Sequence, residues 1–139
     1  ILKGSAVFLS HLLVKLTTDV EIDFMTLSSY KHGTISRELK LVQDLDTDVA
    51  GRDVLVVEDI VDSGKTVTFV DRYLRVKGAK SVEIVTLLRK PGKIAPDAPA
   101  ARYVGFDLPD DAFVVGWGLD LAERHRNLPG IFTIEEGEA

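Results

Sequence analysis

The residues best suited to chemistry lie in one run, Val56-Val57-Glu58-Asp59-Ile60-Val61-Asp62-Ser63-Gly64-Lys65-Thr66. Glu58 and Asp59 stand side by side where a β-branched run ends, and Asp62 follows just before a turn. In open α/β sheets, ligands bind outside the carboxyl ends of the strands. Backbone N–H groups from Ser63 to Thr66, at the start of a helix and beside two hydroxyls, form a cradle for a phosphate monoester. Three acids next to that cradle repel a phosphate unless they bind its hydroxyls or its metal. The combination points to a sugar phosphate carried with Mg2+. The alternative is a plain helix start at Gly64-Lys65-Thr66 flanked by solvated acids. A Walker A loop is excluded, because the glycine it needs five positions before Gly64 is here Asp59.

The elements that must hold these residues are legible on either side. Val54-Leu55-Val56-Val57, within Asp53–Glu58, reads as a strand buried on both faces of a parallel sheet. A helix follows from about Lys65 to Lys77, with Val67, Val70 and Leu74 inward and Gly78 as its stop. Ser81–Leu88 is the next strand, which completes a βαβ unit and predicts an α/β domain with a largely parallel core. Upstream, Leu9, Leu12, Leu13 and Leu16 share one helix face within Ser5–Leu16, with Ser5 as N-cap. Val20–Leu27 alternates in part and reads as a strand. Ser28–Lys40 is polar, contains Gly33 and reads mostly as a long loop, a common form of functional lid. Beyond Leu88, a stretch with Pro91, Pro96, Pro99 and Pro109 holds loops and short strands near Arg102–Phe106, Phe113–Val115 and Ile131–Ile134.

The chain has 139 residues, 45% hydrophobic and 28% charged, which predicts one globular domain over residues 1–139. A net charge of −5 speaks against a nucleic-acid partner, whose phosphates call for a basic surface. With no cysteine, thiolate zinc sites, disulfides and cysteine nucleophiles are excluded. That absence suits a reducing cytosol, so a cytoplasmic location is expected. No apolar run reaches the roughly 18–20 residues of a membrane span, and no signal peptide opens the chain. Ile1-Leu2-Lys3-Gly4 reads as the end of a buried strand entering a turn, so an N-terminal segment is expected before Ile1.

The run from Val56 to Thr66 resembles the phosphoribosyl-pyrophosphate (PRPP) motif of the type I phosphoribosyltransferases, in the form used by the 6-oxopurine, hypoxanthine-guanine branch. Other segments agree in order. Leu2-Lys3-Gly4 resembles the pyrophosphate loop, Ser29-Tyr30 the Ser-Tyr pair of the mobile lid, and Leu87-Leu88-Arg89-Lys90 the base-recognising lysine segment. Phe113-Val114-Val115-Gly116-Trp117-Gly118-Leu119-Asp120, followed by Glu123-Arg124-His125-Arg126-Asn127-Leu128-Pro129, resembles the purine and pyrophosphate end.

The resemblance implies a central, mostly parallel sheet flanked by helices, with a small hood. It implies transfer of 5-phosphoribose from PRPP to N9 of hypoxanthine or guanine, giving IMP or GMP and pyrophosphate in purine salvage. Asp62 takes the general acid/base role in that scheme, with helix N-cap as its plainer alternative. Glu58 and Asp59 bind the ribose hydroxyls directly or through Mg2+, which Asp120 also holds. Ser63, Gly64, Lys65 and Thr66 cradle the 5′-phosphate, while Lys3, Gly4 and Arg126 take pyrophosphate. Lys90 donates to the purine O6, where adenine presents a donor of its own; a solvated lysine is the alternative. Phe113 stacks on the base, against a core role, and the carbonyl of Val114 accepts from N1 or N2. The lid over 28–40, with Ser29 and Tyr30, excludes water. The peptide between Leu2 and Lys3 is expected cis, and assembly as a homodimer or homotetramer is implied.

The three histidines, His11, His32 and His125, lack metal-ligand spacing and read as surface or lid residues. Two departures from the family pattern, Trp117 for a tyrosine and Leu121-Ala122 for a Tyr-Asn or Tyr-Asp pair, sit beside the expected base pocket. They leave open a preference for xanthine. A different class, a PRPP-sensing regulator on nucleic acid with the same fold, is disfavoured by the charge and by the presence of Lys90, Phe113 and Asp120 together.

Overall fold

The computed structural model describes residues 1–32 and 36–134, with backbone alone over 30–32 and 36–38. Its centre is a three-stranded parallel sheet of β3 (Asp53–Val61), β4 (Ser81–Arg89) and β5 (Tyr103–Asp107), in that spatial order. The helix α2 (Lys65–Val76) crosses from β3 to β4 and lays Val67, Val70 and Leu74 on the sheet. These three positions recur every three to four residues, so one stripe of the helix faces Val56, Val82 and Ile84 in a single buried cluster. Burying each such side chain contributes roughly 1.5–3 kcal/mol. Gly78, at φ +86°, ends the helix in a left-handed turn that a side chain would oppose.

The strand buried on both faces is β4, whose residues from Ile84 to Leu88 are all buried. In β3 that expectation is corrected at one residue: Val56 is buried and Val54 and Val57 are half-buried, but Leu55 is exposed. A smaller cluster of Leu87, Leu88, Val114 and Leu119 takes in Phe8 from α1 (Ala6–Leu13) on the first helix.

Three further readings are corrected. Val20–Leu27 is not a strand: residues 20–25 are irregular, and β1 runs Thr26–His32. Its partial alternation has a different cause. Val20, Ile22 and Phe24 line an apolar groove, while Glu21 takes a hydrogen bond from Arg52 (2.7 Å) and Asp23 one from the Thr47 backbone N–H (2.8 Å). The polar stretch read as a loop is mostly paired backbone. β1 and β2 (Ser36–Gln43) form an antiparallel pair, Ser29 opposite Leu39, and residues 33–35 lie outside the description. Polar side chains suit such a ribbon because its hydrogen bonds are main-chain, and only Leu27 and Leu41, at its base, pack on the core. Ser5 stands at the N-cap of α1 but makes no capping bond there; its hydroxyl donates to the Ile1 carbonyl instead. The short pairing of β6 (Val114–Val115) with β7 (Phe132–Thr133) completes the described strands.

Candidate active site

A cavity of about 460 Å3 opens at the C-terminal end of β3. Its walls bring together Lys3, Gly4, Ser29, Glu58, Asp59, Asp62, Ser63, Gly64, Lys65, Thr66, Asp120 and Arg126. Residues from both ends of the chain thus meet the loop between β3 and α2.

The cradle follows from the start of α2. Gly64 sits at φ +81° at the helix boundary, and the first main-chain bond back to it is from Thr68 N to Gly64 O (2.9 Å). The N–H groups of Lys65, Thr66 and Val67 precede any intrahelical acceptor and face the cavity that all three residues line. Gly64, not Asp62, is the N-cap, so the capping alternative for Asp62 is set aside. The Asp62 carboxylate is half exposed and lies 3.9 Å from the Lys93 ammonium.

Glu58 and Asp59 end up on opposite terms with solvent from those of surface acids. Glu58 is 4% exposed, and its Oε1 has no hydrogen-bond partner. Burial pushes its carboxyl up to about 8, and the neighbouring Asp59 adds to the rise. Burial also pushes Asp59 up. Among the described residues no three acidic or histidine side chains converge on one point. An oxygen-only set supplying one or two carboxylates still fits Mg2+, which completes its shell with water and substrate phosphate.

The opposite wall is built from glycines and charges. The peptide between Leu2 and Lys3 is cis, as expected. A Cβ on Gly4 would collide with the Asp59 carboxylate, and one on Gly118 (φ +102°) with the Gly4 carbonyl. The two loops therefore touch main chain to main chain. Arg126 donates through Nη1 to Gly118 O (2.8 Å) and pairs through Nη2 with Asp120 Oδ1 (2.9 Å).

The residues expected at the base do not line this cavity. Lys90 follows β4 directly, and its backbone N–H donates to the Val61 carbonyl (3.0 Å), one strand from the cavity wall. It is 7% exposed, which disposes of the solvated-lysine alternative. Phe113 is 47% exposed and is not a core residue. Its carbonyl accepts from Ile134 N (2.9 Å), which with the Val114–Thr133 register makes those two a non-hydrogen-bonded pair. The carbonyl of Val114 consequently points out of the ladder. The Tyr30 side chain lies outside the described residues.

The family described as a phosphoribosyl transferase domain matches residues 1–124 of the sequence. The chain is 51% identical over 136 residues to the hypoxanthine-guanine phosphoribosyltransferase of Bacillus subtilis, covering 97% of this chain and 74% of that protein. This chain belongs to the phosphoribosyltransferase family. Within it, the hypoxanthine phosphoribosyltransferase of Escherichia coli is 45% identical over 132 residues, 94% of this chain and 73% of the relative. Among solved structures, the hypoxanthine phosphoribosyltransferase of Staphylococcus aureus superposes with a TM-score of 0.89 at 45% identity, over 96% of this chain and 72% of that one. The enzyme of the same name from Trypanosoma cruzi, in complex with the product IMP, gives 0.87 at 31% identity, over 99% and 74%.

Two phosphoribosyltransferase residues escaped the sequence reading. Glu123 lines the cavity and accepts from Lys3 Nζ (3.0 Å). Its closeness to Asp120 and Arg126 in sequence was a signal, but its pairing with Lys3, 120 positions away, was not. Gly118 acts by lacking a side chain at a contact that no spacing reveals. Trp117 turns its ring onto α1, 4.9 Å from the His11 ring and 6.4 Å from that of Phe8. Its indole packs against the first helix and the Leu87, Leu88, Val114 and Leu119 cluster.

Proposed function

We propose that this phosphoribosyltransferase performs purine salvage, moving 5-phosphoribose from PRPP to N9 of hypoxanthine or guanine. The observation that carries the reading is the single cavity that joins the Glu58–Thr66 loop to Lys3, Asp120 and Arg126. A sugar phosphate fits the cradle, and a diphosphate fits the cationic wall opposite.

In the transfer, the bond from ribose C1 to the pyrophosphate oxygen breaks and a bond from C1 to N9 forms. The leaving pyrophosphate keeps the electron pair, and the imidazole proton of the base passes to Asp62. The N–H groups from Ser63 to Thr66 hold the 5′-phosphate, so the sugar enters the reaction already oriented. Lys3 and Arg126 stabilise the charge that builds on the diphosphate as C1 acquires oxocarbenium character. Mg2+, when bound, neutralises part of that diphosphate charge; Glu58, Asp59 and Asp120 are the carboxylates that would hold it or its waters. Lys90 donates to O6, the Val114 carbonyl accepts from N1 or N2, and Phe113 covers the purine face. The β1–β2 ribbon, with Ser29 and Tyr30, acts as the lid. A cytoplasmic single-domain enzyme assembled as a homodimer or homotetramer completes the proposal.

The test is a spectrophotometric panel on the full-length protein with PRPP, Mg2+ and hypoxanthine, guanine, xanthine or adenine in separate wells. Turnover with oxopurines and none with adenine is the expected result, abolished by EDTA. Silence in every well, with PRPP still bound in calorimetry, would overturn the enzyme reading in favour of a sensor.

A further inference from the structure

The carboxylate of Glu123 has no part in the transfer described above, yet it occupies the middle of the diphosphate wall. A single oxygen, Oε2, lies 3.0 Å from Lys3 Nζ and 3.3 Å from Arg126 Nη2. These are the two cations assigned to the leaving group, and one carboxylate oxygen bridges them as a phosphate oxygen would. The backbone is shaped for this position: Ala122 and Glu123 adopt φ +49° and +67°, and Glu123 N–H donates to Asp120 Oδ2 at 2.8 Å.

Resting on the reading above, we propose that Glu123 is an internal counter-anion. It fills the anion position between Lys3 and Arg126 in the empty site and yields both cations when a diphosphate arrives. The geometry separates a part that moves from a part that stays. The Glu123 and Lys3 side chains are 64% and 66% exposed, so their pair is weak and readily exchanged. Arg126 is only 26% exposed and keeps its bonds to Asp120 and the Gly118 carbonyl once Glu123 swings away. A diphosphate therefore meets a guanidinium already in place and displaces one exposed carboxylate. On departure the carboxylate returns and competes for the cations, which speeds release of the product.

A placeholder and a scaffold predict opposite signs. Calorimetric titration of full-length Glu123→Gln with inorganic pyrophosphate and Mg2+ should give a Kd roughly three- to tenfold lower than wild type, the range expected for removing two partly exposed competing pairs. The KM for PRPP should fall together with kcat, because the product then leaves more slowly. Glu123→Ala should move pyrophosphate affinity the same way, and IMP binding, which uses neither Lys3 nor Arg126, should not change. Weaker or unchanged pyrophosphate binding in both variants overturns the proposal. Wild-type protein that turns over oxopurines while the variants bind no tighter removes the counter-anion alone. Wild-type protein that neither turns over an oxopurine nor binds pyrophosphate removes the parent reading as well.

Discussion

Glu58 makes the protein's stability depend on pH in an unusual direction for a carboxylate. With its carboxyl pushed up to about 8 by burial, the folded chain holds a proton between pH 4.5 and about 8 that the unfolded chain has lost. Stability of the ligand-free, metal-free protein therefore falls as pH rises through that window. At about 1.4 kcal/mol per pH unit, the window is worth at most about 5 kcal/mol. Glu58→Gln removes the titration. It also places an amide where Oε1 now lacks a partner, a pH-independent cost of about 1–3 kcal/mol. The level of the variant's stability is thus uninformative, and the slope is the measurement. Denaturant unfolding of both proteins from pH 5 to 8 in EDTA should show wild type losing several kcal/mol relative to the variant. Curves that stay parallel across that range would refute the argument, because they would mean that Glu58 is charged in the fold at neutral pH.

Other outcomes follow from the site. Asp62→Asn should cut turnover by about 100-fold or more while leaving PRPP affinity within a few-fold, read by steady-state kinetics and calorimetry; equal losses in both would remove Asp62 from proton transfer. Lys90→Ala should lower the preference for hypoxanthine over adenine by about 10- to 100-fold, the worth of a charged hydrogen bond to O6. Unchanged discrimination would refute that contact. Gly118→Ala drives a methyl into the Gly4 carbonyl at a positive φ, so it should destabilise the fold by about 1–3 kcal/mol and weaken pyrophosphate binding more than IMP binding. A variant as stable as wild type, with both affinities intact, would show that the two loops need not touch.

How far the sequence speaks depends on the range of the physics involved. The β3–α2–β4 unit was legible because each element carries its own pattern: an apolar strand run, then Val67, Val70 and Leu74 on one stripe, then Gly78. The acids and the cradle were legible because they are contiguous in that unit. The β1–β2 ribbon was not, since main-chain pairing holds it and only its base, at Leu27 and Leu41, packs on the core. Nor was the exposure of Leu55, since a run of apolar residues does not say what covers each one. Trp117 and Glu123 depend on a meeting of distant segments, α1 with the 116–118 turn and Lys3 with the 120–126 turn, and no local window contains both partners.

The two halves of the cavity differ in how the chain must close to make them. The phosphate cradle and its acids lie within about eight residues, from Glu58 to Thr66, so they form as soon as β3 and α2 do. The diphosphate wall joins Lys3 to Glu123 across 120 positions. Closing a loop some fifteen times longer costs about 2 kcal/mol more in chain entropy. Phe8 of α1, packed with Trp117 and the buried Leu119, supplies apolar contacts that offset it. The Lys3–Glu123 half therefore waits for distant parts of the chain to meet, whereas the Glu58–Thr66 half needs only β3 and α2. Protection from hydrogen exchange that reaches Val56 and Ile84 before Gly118 and Arg126 during refolding would be the signature of that order.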